Sequence, residues 1–160
     1  MFEHPLIIVL AVLAVVGVGI GVLSLRRRSK VRGLCSEAAQ AIEQGHHEEA
    51  RRILLAAERS WSFNAHDGSR SSHLADLDAL TQILGLLARV PLPAGASSCI
   101  TRVESVAAEL RTLFSDRANF GIDGRSMKRE AAVRWSELSD RFQALRQELR
   151  ESYETTTSAV

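Results

Sequence analysis

The chain has little of what staples or chemistry usually require. It holds two cysteines in 160 residues. Cys35 and Cys99 are far apart and form no C-x-x-C, so neither a redox dithiol nor a zinc site is encoded. A disulfide between them is disfavoured in a segment whose charge pattern reads as cytoplasmic. Aromatic residues make up only 5% of the chain, so each buried ring carries a large share of any core. No run of alternating β-branched and aromatic residues occurs beyond the N-terminal segment, which leaves no candidate strand. Neither a P-loop nor a G-x-G-x-x-G is present to cradle phosphate. His46 and His47 are adjacent, hence about 100° apart on a helix, and do not converge on one metal; Glu48 and Glu49 read as first-turn acids. His66, Asp67 and Ser69 fall in one short loop with no nucleophile elbow and no oxyanion-hole glycines. These absences point away from an enzyme and call for no cofactor or metal.

What is present begins with twenty residues, Leu6 to Leu25, that contain one polar side chain, Ser24, and no charge. At ~1.5 Å per residue such a helix is about 30 Å long, the thickness of a bilayer's hydrocarbon core. Fourteen of the twenty are Leu, Ile or Val. At roughly −0.3 to −0.6 kcal/mol each they contribute on the order of −4 to −8 kcal/mol to insertion. The N-terminal Met1-Phe2-Glu3-His4-Pro5 has no basic residue, and no small-x-small cleavage site follows the run. The pattern is that of an uncleaved anchor rather than a signal peptide. Arg26, Arg27, Arg28, Lys30 and Arg32 follow within seven positions. Basic residues stay on the cytoplasmic side, which predicts the N-terminus outside and the rest of the chain inside. The same collar lies at headgroup level, where anionic lipid attracts it. Ala14, Gly17, Gly21 and Ser24 recur at three-four-three spacing, a stripe of small residues through which the span can pair with a second copy or another subunit.

From Gly33 onward there are fifteen basic and eighteen acidic residues, a net charge of −3. That sign disfavours nucleic acid. Eighteen of the twenty basic residues are Arg, which points to a GC-rich, bacterial coding bias. The apolar pattern is helical throughout and predicts five helices, over about 31–44, 47–60, 72–90, 98–115 and 126–153. Gly45 separates the first two. Leu74, Leu77, Leu80, Leu84 and Leu87 face the core from the third, capped by Ser71 or Ser72 and ended before Pro91 and Pro93. Ile100, Val103, Ala107, Leu110 and Phe114 do so from the fourth. In the fifth, Ala131, Trp135, Leu138, Phe142, Leu145 and Leu149 form a heptad seam of under three heptads, with outward Glu130–Arg134 and Glu137–Arg141 pairs. Trp135, Leu138, Phe142, Leu145 and Leu149 are the candidate core or docking residues. Residues 61–71 and 116–125 read as polar loops, and 91–98 as a hinge between helices one to three and helices four and five.

Residues 44–60, QGHHEEARRILLAAERS, resemble the middle of a tetratricopeptide repeat. Gly45, Ala50, Leu54 and Ala57 match its turn and core positions, Ala38 matches a small position of the preceding helix, and His47 stands where an aromatic is usual. The early Trp, Leu and Tyr of the family are missing, Ser62 stands near the closing Pro, and one repeat length of about 34 residues further on there is no second copy. The resemblance implies a helical hairpin of the protein-binding kind.

The chain is thus expected to be all-α: an outer N-terminus at 1–5, a transmembrane helix at 6–25, a basic juxtamembrane collar at 26–32, a cytoplasmic helical domain at 33–152 and a disordered tail at 153–160. The expected role is a non-catalytic adaptor that binds a protein partner at the membrane. The alternative is an accessory subunit whose span packs on a larger membrane complex. Ser158-Ala159-Val160 has the form that a PDZ-type groove captures.

Overall fold

Each stretch with apolar residues at three-four spacing becomes a helix. The computed structural model describes residues 26–63, 69–123 and 126–157, with side chains as far as Tyr153. Helix α1 covers the described residues 26–43. It is followed by α2 (His47–Ser60), α3 (Arg70–Leu87), α4 (Ala96–Ser115) and α5 (Arg129–Thr157). Among the described residues there is no strand; a 3-10 turn at Arg117–Asn119 and a lone antiparallel bridge between Phe120 and Met127 occupy the α4–α5 connection.

The helices run up and down. Arg28 at the start of α1 reaches Asp76 near the start of α3, while Ala41 packs with Ala50 and Val90 at the far ends. Arg70, the first residue of α3, bonds the carbonyls of Phe114 and Ser115 at the end of α4. Arg102–Glu148 and Glu109–Arg141 pair α4 with α5 in antiparallel order. The starts of α1, α3 and α5 therefore share one end of the bundle with the end of α4. One apolar core links all five helices, with Leu54, Leu77, Leu80, Ile83, Leu84, Leu87, Val103, Leu110, Phe114 and Phe142 at 0% exposure. Truncating one of these larger side chains to Ala costs about 2–5 kcal/mol.

The structure revises several expectations. The collar 26–32 is the first two turns of α1 rather than a separate segment, and Val31 within it is buried. Helix α3 starts two residues early because Ser69, not Ser71 or Ser72, is the cap: its hydroxyl accepts the Ser72 N–H at 3.3 Å. It ends at Leu87, with a turn through Val90 before Pro91, whose ring disfavours helical backbone in the residue it follows. Gly95, at φ +85°, caps α4 two residues earlier than expected. Helix α5 begins later than Ser126, since Gly121 N–H donates to the Ser126 carbonyl and Lys128 N–H to that of Asn119. It also continues to Thr157, past the expected start of a frayed tail, with Tyr153 buried in the core. Residues 91–98 do not divide the molecule: Leu92 and Ala96 belong to the common core and α3 packs on α4. Arg141 pairs with Glu109 across the helix interface and not with Glu137.

The transmembrane helix expected at 6–25 lies outside the described residues, as do Ala14, Gly17, Gly21 and Ser24. So do His66, Asp67 and Ser158-Ala159-Val160. Among the described residues no helix is long and apolar enough to cross a membrane.

Candidate functional site

The apolar stripe of α2 runs through Ala50, Leu54, Ala57 and Trp61, and Glu58 sits one turn beyond Leu54 on the same side. The seam of α5 runs through Phe142, Leu145 and Leu149, and Arg146 sits one turn beyond Phe142. Two charged residues thus occupy core positions and meet. Glu58 is 1% exposed and Arg146 3%. Arg146 Nε donates to Glu58 Oε1 at 2.6 Å, and Arg150 Nε donates to Oε2 at 2.6 Å. Three of the four remaining Arg146 N–H groups are spent locally. Arg146 Nη2 donates to the Glu58 and Trp61 carbonyls at 3.0 and 3.4 Å, and Nη1 to Gln143 Oε1 at 3.1 Å. Those carbonyls belong to the C-terminal end of α2, where a cation satisfies orphan acceptors and the helix dipole together. Burial pushes the Arg146 guanidinium down from its usual range, and the Glu58 carboxylate opposes that shift. The cation also lies 4.5 Å over the Trp61 ring.

Trp61 opens an aromatic cluster, although the composition of residues 61–71 is that of a polar loop. Its ring lies 4.9 Å from Phe63 and 5.8 Å from Phe142, and Nε1 donates to the Asp76 carbonyl at 2.6 Å. Phe63 meets Trp135 at 5.0 Å edge-on, and His73 stacks on Phe114 at 4.5 Å. Phe142, Leu138, Leu145 and Leu149 are buried, and Trp135 is half-buried. Leu138, Phe142, Leu145 and Leu149 thus belong to the core, with Trp135 packed against it.

The collar residues separate by role. Arg28 Nε donates to Asp76 Oδ1 at 2.8 Å, and its Nη2 reaches the Ser72 carbonyl at 3.0 Å and the Ser72 hydroxyl. Arg27 bonds Ser62. Arg26, Arg27, Lys30 and Arg32 are exposed. Arg27, Arg28, Val31, Trp61, Ser62, Asp76 and Ala79 enclose a cavity of about 20 Å³, room for one water molecule.

Among the open concavities on the outside, two are rimmed by charges of both signs. One, of about 520 Å³, runs along α2 between Glu48, Glu49, Arg51, Arg52, Leu55 and Arg59. The other, of about 270 Å³, lies between α4 and α5 over Ser105, Ala144 and Leu145, flanked by the Arg102–Glu148 pair at 2.7 Å. In the α1–α2 hairpin, Gly45 takes φ +76°, and Ala38, Ala50, Leu54 and Ala57 are all fully buried. Burial pushes the thiols of Cys35 and Cys99 up, the latter helped by Glu148. Among the described residues no three His, Cys, Asp or Glu side chains are placed to hold a metal ion. In comparisons with known proteins, no family model, no curated protein and no solved structure matches the chain.

Proposed function

We propose that this chain is a single-pass membrane protein, N-terminus outside, whose cytoplasmic helical bundle acts as a non-catalytic adaptor for a protein partner. The observation that carries the reading is the uncharged run from Leu6 to Leu25 followed at once by Arg26, Arg27 and Arg28. A twenty-residue apolar stretch has the length of a span, and the basic edge sets its direction. The bundle beneath offers two charged, shallow surfaces, the outer face of α2 and the α4–α5 groove. Mixed-sign rims of this kind suit specific recognition by a complementary protein surface. The small-residue stripe Ala14, Gly17, Gly21, Ser24 favours a second reading, an accessory subunit whose span packs on other helices.

The test has two parts. Membrane fractionation and protease protection on intact cells should leave the C-terminal domain pelleted and shielded; recovery of the intact chain in the supernatant refutes the anchor. Detergent-solubilised membranes should then yield a partner that Glu48→Arg with Arg52→Glu, or Arg102→Glu with Arg141→Glu, releases. A partner retained by both surface variants and lost on Gly17→Ile with Gly21→Ile supports the accessory subunit instead.

A further inference from the structure

The two exposed large hydrophobic residues of the described chain, Ile122 and Val133, both lie at the end of the bundle where α1 begins. Ile122 is fully exposed, yet it is held there. Phe120, two residues before it, is buried against Phe114 at 6.3 Å and bridges to Met127. The Gly121 N–H donates to the Ser126 carbonyl at 2.7 Å, and Asp123 accepts from the Ser126 N–H at 3.1 Å and its hydroxyl at 2.8 Å. Braced in this way, Ile122 presents one branched apolar side chain to the outside.

The charge around it is basic on balance, although Asp116, Asp123 and Glu130 stand among the cations. Among the described residues of 116–134 four are basic and three acidic, and 26–32 carry five basic and no acidic ones. The remainder from Gly33 on, residues 33–115 and 135–160, has ten basic against fifteen acidic. The bundle is therefore polarised, with a basic end and an acidic body. Lys128 and Arg129 are exposed at the start of α5, where the helix dipole disfavours cations. The dipole gives them no stabilisation there, so their charge is open to an anion outside the protein. We propose that this end of the bundle seats on an anionic phospholipid bilayer, Ile122 entering the boundary between headgroups and acyl chains while Arg117, Lys128 and Arg129 face lipid phosphates. An apolar tip with more cations than anions about it is what such an interface takes up. The inference rests on the anchored reading, because that reading brings residue 26, and with it this end, to the headgroup level.

The full chain is reconstituted in phosphatidylcholine vesicles with and without phosphatidylglycerol, carrying an environment-sensitive fluorophore on Ile122→Cys or, at the opposite end of the bundle, on Ser97→Cys. Cys35 and Cys99 are buried and should take little label. On anionic vesicles the fluorophore at 122 should be blue-shifted and quenched by spin-labelled lipid, and that at 97 should not. Adding Lys128→Gln and Arg129→Gln should cut the embedded population about fivefold per residue. Unquenched fluorescence at 122 in chains that float with the vesicles, or equal quenching on neutral lipid, overturns this proposal and leaves the anchor standing. Chains that do not float with vesicles at all overturn both.

Discussion

Glu58→Gln isolates the ionic contact that ties α2 to α5. The substitution keeps the shape of the side chain and removes its charge, while Arg146, 4% exposed at its side chain, has nowhere to solvate. Two charge-assisted bonds at 2.6 Å weaken at once, one from Arg146 and one from Arg150. Arg150 is 34% exposed and can turn to water, so the cost falls mainly on Arg146. Removing one partner of a buried pair costs about 3–5 kcal/mol, because the other charge is left uncompensated. At roughly 3 °C per kcal/mol for a domain of this size, the expected drop in Tm is about 10–15 °C. Far-UV circular dichroism of the full chain in detergent reads it, since all five helices share one core. Glu49→Gln, which removes an exposed carboxylate 3.9 Å from Arg52, serves as the control and should shift stability by less than about 1 kcal/mol. A Glu58→Gln protein melting within about 2 °C of the parent would refute the claim that Arg146 depends on this carboxylate.

Arg28→Ala should destabilise the bundle by about 1–3 kcal/mol in urea unfolding, since it takes a charged partner from the buried Asp76 carboxylate, whereas Arg26→Ala should be silent. Gly45→Ala should cost about 1–2 kcal/mol through backbone strain alone, because φ is +76° and nothing lies within 4 Å of an added Cβ. Tyr153 is the one tyrosine of the chain, and burial, opposed by Arg51, pushes its phenol up to about 12. Its folded value exceeds the unfolded value of about 10, so the neutral phenol's contribution is complete below pH ~10 and is lost as pH rises toward 12. Ultraviolet titration of the folded protein should show a single phenolate midpoint well above that of the urea-unfolded chain; coincident midpoints would refute the burial.

Much of the fold was legible because three-four spacing of apolar residues carries its own phase. Ile100, Val103, Ala107, Leu110 and Phe114 were assigned to one face of a helix and all five are buried. Gly45 reads as a turn for the same kind of reason: the chain needs a positive φ there. What escaped was long-range pairing. Glu58 and Arg146 are 88 positions apart and each resembles an ordinary solvated charge in its own helix. The clue was local and weak: both interrupt an otherwise apolar face. Trp61 and Phe63 were hidden by neighbours of loop composition, although two of the few aromatics in one short stretch argue for burial. Ile122 sits in a Gly- and Asp-rich turn, and sequence alone does not distinguish a tip residue from one folded inward.

A buried carboxylate between two arginines is a poor way to gain stability and a good way to fix register. The seam of α5 repeats every seven residues, Ala131–Leu138–Leu145 and Trp135–Phe142–Leu149, so a slip of one heptad would still bury an apolar face. Such a slip moves Ser139 and Gln143, or Tyr153 and Thr157, to the positions that Arg146 and Arg150 hold opposite Glu58. Neither pair carries a cation, and the carboxylate would be buried without a counter-charge. Replacing the contact as a whole, with Glu58→Leu, Arg146→Met and Arg150→Leu, should therefore leave thermal stability near or above that of the parent, since no desolvation remains to offset. It should also remove the penalty on the slipped alignment. A double spin-label distance from Ser97→Cys on α4 to Gln147→Cys on α5 should then broaden or split, since seven residues of helical rise carry one label about 10 Å along the axis. The parent chain, with Glu58 intact, should give one narrow distance. A triple variant that keeps that single distance would show that the large aromatic rings at Trp135 and Phe142 set the register unaided.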